Sequence, residues 1–114
     1  MKTVKVTTDN KISIIDVDFD DFRSIQQAIG GHFETVRSQL MADYFKDPSV
    51  IMLVDEEGLI KELPLNPVGS ALYRGTIAGD LIFARVQGED IIAPDNPGAL
   101  KDRLLNTFIG LQEA

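Results

Sequence analysis

Apolar and polar positions alternate at the start of the chain. In TVKVTT, residues 3–8, Val4 and Val6 share one side, and KISIIDV follows at 11–17. This period of two predicts a β-hairpin. Pairing Val6 with Ile12 and Val4 with Ile14 requires a three-residue loop, Thr8-Asp9-Asn10, in which Asn10 takes the left-handed conformation. Ile15 and Val17 face the other way, so both sides of the second strand call for cover. The period then changes. Phe22, Ile25 and Ile29 fall at i, i+3 and i+7, one helical face. Asp18, Asp20 and Asp21 stand where a helix start favours negative charge, and Gly30-Gly31 ends the helix. A helix is predicted over about 20–29.

HFETVRSQ, 32–39, reads as a strand. LMADYFKDP, 40–48, has helical spacing but is short and reaches Pro48, leaving a helical turn and a long loop both open. SVIMLVD is an unbroken apolar run and predicts a central strand. Glu56-Glu57-Gly58 reads as a turn with Gly58 at positive φ, and GLIKELP as the returning partner strand, stopped by Pro64. Asn66-Pro67 reads as an N-cap with the first helical residue of a short helix running to Gly75. A strand over 77–88 and a connection or short edge strand over 89–95 follow. Asn96-Pro97 repeats the cap and opens a last helix to about 110, amphipathic through Leu100, Leu104, Phe108 and Leu111. The elements predict a single α+β domain over 1–114. Its sheet is mostly antiparallel, of five to six strands, with two or three short helices segregated from the strands.

Composition narrows the chemistry. A chain of 114 residues buries roughly 65% of its unfolded surface, enough for a core without staples. Cysteine is absent, which excludes disulfides, thiolate catalysis and thiolate-bound metal, and fits a cytoplasmic setting. The formal net charge is −7, with eleven acidic and six basic residues in 1–57 and seven and five in 58–114. That balance lacks the basic stripe needed for direct nucleic-acid binding and the polybasic patch needed for anionic lipid. The start, MKTVKVTTDN, has no apolar stretch and does not read as a signal peptide.

The middle of the chain resembles an uncharacterised family of small proteins from phages, plasmids and conjugative elements, described only as a domain of unknown function. The resemblance rests on AIGGHFETV at 28–36, VIMLVDEEGLIKELPLNPVGSALY at 50–73 and IAGDLIFARV at 77–86. It spans a Gly-Gly-aromatic segment, an Asp-x-x-Gly turn, a Leu-Pro-x-Asn corner and a closing Gly-Asp strand. The longer stretch at 39–48 and the opening hairpin depart from that pattern. The resemblance implies a mobile-element origin and a cytoplasmic setting, and no activity.

Candidate chemistry is sparse. Asp16, Asp18 and Asp20 alternate as oxygen ligands for a hard cation would, but a calcium loop from Asp16 has Asp21 where glycine is needed and Gln27 where glutamate is needed. Helix capping accounts for Asp18 to Asp21, and no metal or cofactor is expected. His32 is the single histidine; with Glu34 on the same side of a strand it is a candidate general base for a hydrolase, with Ser24, Ser38 or Ser70 as nucleophile. No nucleophile elbow or phosphate-binding loop accompanies them. Asp55, Glu56, Glu57 and Glu62 read as an acidic hairpin tip. Met41, Tyr44 and Phe45 are candidate partner or ligand contacts if 39–48 is an exposed loop. Asn66, beside Leu65 and Pro67, marks a corner where helix-start amides suit a small anionic ligand.

The function expected is a non-catalytic binding module, an accessory protein of a phage or mobile element, acting on a host protein or through self-association. The alternative is binding or sequestering of a nucleotide-like small molecule; the weaker one is the hydrolase of His32 and Glu34.

Overall fold

The computed structural model describes residues 1–114. The hairpin forms as β1, Lys2–Val6, and β2, Lys11–Asp16. Its register pairs Val4 with Ile14 and Val6 with Ile12, and Asn10 sits at φ 61°. Helix α1, Phe22–Ile29, is capped by the Asp21 carboxylate, which accepts from Arg23 N–H, and ends at Gly30 at φ 93°. Strand β3, Phe33–Val36, leads into α2, Gln39–Phe45. Strand β4, Val50–Asp55, is buried along its whole length. Then come α3, Pro67–Tyr73, strands β5, Leu81–Gln87, and β6, Asp90–Ile92, and helix α4, Pro97–Thr107. Strand β7, Gln112–Glu113, closes the chain.

The fold is α+β, with four helices and a seven-stranded, mostly antiparallel sheet ordered β3-β4-β5-β1-β2-β7, β6 pairing with the far end of β5. Only β2 and β7 run parallel. That last strand adds one to the expected count: the helix stops at Thr107, Phe108 is extended, and Leu111 reaches the core from the returning chain.

Both faces of the sheet are covered, which is why VIMLV carries no alternation. Met52, Val54, Leu81 and Phe83 face α2, α3 and α4 with Val4, Val6 and Ile12. Ile51, Leu53, Ile82 and Ala84 face α1 with Val17 and Phe19. Each helix start is satisfied by a side-chain oxygen: Asp21, Ser38, Asn66 and Asn96 all accept from a first-turn N–H. Such caps contribute about 1 kcal/mol each.

The expectation for 58–64 is corrected. No strand returns there, because both edges of β4 are taken by β3 and β5. The segment coils through local bonds instead: Lys61 N–H to Glu57 C=O at 2.9 Å, Glu62 N–H to Leu59 C=O at 3.1 Å and Leu63 N–H to Gly58 C=O at 3.0 Å. Positive φ falls on Glu62, at 56°, and not on Gly58. Glycine is needed at 58 for another reason: a Cβ there would collide with the Ala78 carbonyl oxygen. Within 39–48, residues Gln39–Phe45 are helix rather than loop and 46–48 turn out of it, with Ser38 accepting from Met41 N–H at 3.1 Å and donating to Leu72 C=O at 2.8 Å.

Asp47 ties the end of α2 to the sheet. Its Oδ1 accepts from Ser49 N–H at 2.9 Å and Ser49 Oγ at 2.6 Å, and its Oδ2 lies 3.6 Å from Arg85 Nε. The Ser49 hydroxyl and backbone bonds, then the Arg85 charge, hold its pKa below the usual 3.8. A lowered carboxylate pKa stabilises the fold above the unfolded value, and that contribution is lost as pH falls through the folded one. Acid unfolding followed by circular dichroism is therefore expected to show a shallower loss below pH 3.8 in Asp47→Asn than in the parent.

Candidate functional site

The turns after β4 form a lobe over residues 56–65, and the lobe is closed by one buried carboxylate. Asp55, 5% exposed, accepts from Glu57 N–H at 2.8 Å through Oδ1 and from Lys61 Nζ at 2.8 Å through Oδ2. The bond to Asp55, and then the charges of Asp55, Glu57 and Glu56, raise the pKa of Lys61 against its desolvation. The lobe's single cation, its side chain 38% exposed, is thus paired with Asp55, while Glu56, Glu57 and Glu62 are exposed.

Most of the lobe's apolar residues are exposed as well. Leu59 is 60% exposed, Ile60 81% and Leu65 57%. Between the lobe and β3 lies a groove of about 270 Å³. Val54, Ile77 and Ala78 form its floor, Leu59 and Ile60 one lip, and Glu34 and Glu56 supply carboxylates. An apolar channel under negative charge suits a side chain with a hydrocarbon stem and a cationic head. The acidic tip expected as a solvated hairpin turn is thus a folded lobe with one carboxylate buried.

The other expected residues lie elsewhere. Met41 is 0% exposed and packs in the core, so it offers no surface to a partner. Tyr44 and Phe45 are half-buried: the Tyr44 hydroxyl donates to Arg103 C=O at 3.1 Å, and the Phe45 ring meets Phe83 edge-on at 5.6 Å. These two hold α2 against α4 and the sheet. The exposed-loop contact is corrected by that packing.

Asn66 is also 0% exposed, and its amide is fully used. Oδ1 accepts from Gly69 N–H at 3.0 Å, and Nδ2 donates to Val6 C=O and Gly79 C=O, each at 3.1 Å. It locks α3 to β1 and the entry to β5, leaving nothing for a ligand.

His32 and Glu34 are both exposed, and the His32 ring bonds with the Gln26 amide at 3.3 Å. The aspartates at 16–21 disperse: Asp16 pairs with Lys2 at 2.6 Å, Asp18 accepts from Asp20 N–H, and Asp21 caps α1.

A second cleft, about 210 Å³, lies where Phe45, Val50, Arg85, Asp95, Leu100 and Arg103 meet. Its cations are engaged within the fold. Arg85 bonds Ser49 Oγ at 3.0 Å and Asp95 at 2.5 Å, and Arg103 stacks over the Tyr44 ring at 4.5 Å. The groove at β3 is the better candidate, because its exposed apolar lip and its carboxylates have no partner within the chain. Sequence reasoning missed Leu59 and Ile60 as a site because it placed them on a paired strand. The signal was the Leu59, Ile60, Leu63 spacing, which suits a coiled turn better than a period of two.

No helix is long and apolar enough to cross a membrane. No curated protein and no solved structure matches the chain. A family match covers residues 1–105, so it takes in the opening hairpin and the 39–48 segment that had stood apart from the resemblance. With strands β1 to β6, three of the covering helices and the β3 groove within that span, the chain belongs to the family described as domain of unknown function DUF3846.

Proposed function

We propose that this protein is a non-catalytic binding module that captures a protein segment bearing basic and apolar side chains. The observation that carries this reading is the groove between β3 and the lobe. Its floor and lip are apolar, its nearby carboxylates Glu34 and Glu56 are unpaired, and Lys61 is closed onto Asp55. Burying Leu59 and Ile60 supplies affinity, since apolar area removed from water contributes about 25 cal/mol per Å². The carboxylates and the net charge of −7 supply selection for a basic partner and faster encounter at low salt. The resemblance to mobile-element proteins and the absence of cysteine support an accessory role on a host protein in the cytoplasm.

The test uses a short fluorescent peptide alternating lysine and valine, with a glutamate–valine peptide as control, followed by anisotropy. The basic peptide is expected to bind and to weaken with salt. Ile60→Asp and Glu34→Lys, both at exposed positions, are each expected to weaken it about tenfold, a loss of about 1.4 kcal/mol. Equal binding of the two peptides, or unchanged binding by both variants, overturns the reading.

A further inference from the structure

Strand β3 ends the sheet on its side: β4 pairs with one edge, and the other has no strand. The phase of the ladder identifies the groups left over. Glu56 N–H donates to His32 C=O at 3.0 Å, which puts His32, Glu34 and Val36 on the rungs that face β4. Hydrogen-bonding direction alternates along an antiparallel strand. Phe33 and Thr35 therefore turn their N–H and C=O toward the open edge. Folded proteins guard such an edge with short length, charge, proline or a bulge. Phe-Glu-Thr-Val has no proline or bulge, and its guards are its four-residue length and the Glu34 carboxylate, which repels an acidic strand but not a basic one.

Exposed apolar surface flanks this edge on both faces of the sheet. On the α1 face Phe22, 64% exposed, packs edge-on against Phe33 at 5.6 Å. On the opposite face lies the groove with Glu34, Leu59 and Ile60. A strand laid along β3 would send successive side chains to these two faces in turn.

We propose that β3 receives the basic, apolar segment as an added strand, with apolar residues over Phe22 and Phe33 and basic residues in the groove beneath Glu34 and Glu56. This rests on the binding function proposed above and specifies its geometry. The partner sequence then has a period of two, apolar then basic. Backbone bonds at Phe33 and Thr35 supply register, and the two faces supply selection. A second copy of this chain is disfavoured as the added strand, because it brings another net −7 toward Glu34.

The test measures amide exchange by NMR in the intact protein, with the same lysine–valine peptide. The Phe33 and Thr35 amides are expected to exchange fast in the free protein and to slow by about tenfold or more with peptide, while Glu34 and Val36 are already slow. A peptide N-methylated at alternate residues, on its β3-facing amides, keeps the side chains and is expected to lose binding. If the parent peptide binds but N-methylation has no effect and Phe33 and Thr35 stay unprotected, strand addition is overturned and the binding function stands. If no peptide binds, the function fails first. If protection of Phe33 and Thr35 instead rises with protein concentration alone, with a dimer in sedimentation, the occupant is a second copy and the basic-strand assignment is overturned.

Discussion

Asn66→Ala is expected to destabilise the protein by about 2–3 kcal/mol, the sum of a lost cap and a buried carbonyl left without a donor. The residue is 0% exposed, so the partners of its amide are out of contact with bulk solvent. Losing Oδ1 frees Gly69 N–H at the start of α3, and losing Nδ2 strands the Gly79 carbonyl and takes a second donor from the Val6 carbonyl, which the β1–β5 ladder already bonds. Val6 ends β1 and Gly79 lies just before β5, so α3 loses its anchor at both. For a domain of this size the melting temperature should fall by roughly 10 °C or more. Asn66→Asp separates the two roles. Aspartate caps a helix as well as asparagine does, so a residue that only capped would tolerate it. Here a carboxylate would face the Val6 and Gly79 carbonyls, and Asn66→Asp should be at least as destabilising as alanine. An aspartate variant within about 0.5 kcal/mol of the parent, in a denaturant titration, would show that the two carbonyl bonds carry no weight.

Where local chemistry decided the structure, the sequence could be read closely. The hairpin register followed from matching Val4 and Val6 to Ile14 and Ile12, since a slip by one residue turns every side chain to the wrong face. The two Asn-Pro caps followed from groups the backbone itself leaves open. Contacts between distant segments were not legible. Strand β7 is two residues long and forms only because Gln112 N–H reaches Asn10 C=O and Ala114 N–H reaches Ile12 C=O. The role of Asn66 was read halfway: its cap was visible, but its bonds to residues 60 and 13 positions away were not. The groove needed the same long-range knowledge. Leu59 and Ile60 are exposed because β3 and β5 already fill both edges of β4, and nothing local to GLIKELP says so.

Gly58→Ala is expected to cost about 2–3 kcal/mol, in the range of overpacking a closed site. The added methyl would run into the carbonyl oxygen and carbon of Ala78, which are backbone and cannot rotate aside. The cost cannot be assigned to lost glycine freedom, because Gly58 does not sit at positive φ. Gly98→Ala provides the contrast. In the first turn of α4, its Cβ would meet only Asn96 Oδ1 at 3.6 Å, an ordinary contact. There alanine should stabilise by about 0.5 kcal/mol, through the reduced freedom of the unfolded chain. Opposite signs at two glycines, measured by thermal melts of the same protein, would assign the effect at position 58 to collision. The consequence also reaches the binding site, since Gly58 and Ala78 both line the groove. Relief of the clash must move the lobe away from Ala78, carrying Leu59 and Ile60 off the groove. Gly58→Ala should therefore weaken the lysine–valine peptide even below its melting temperature, whereas Gly98→Ala should bind it as the parent does.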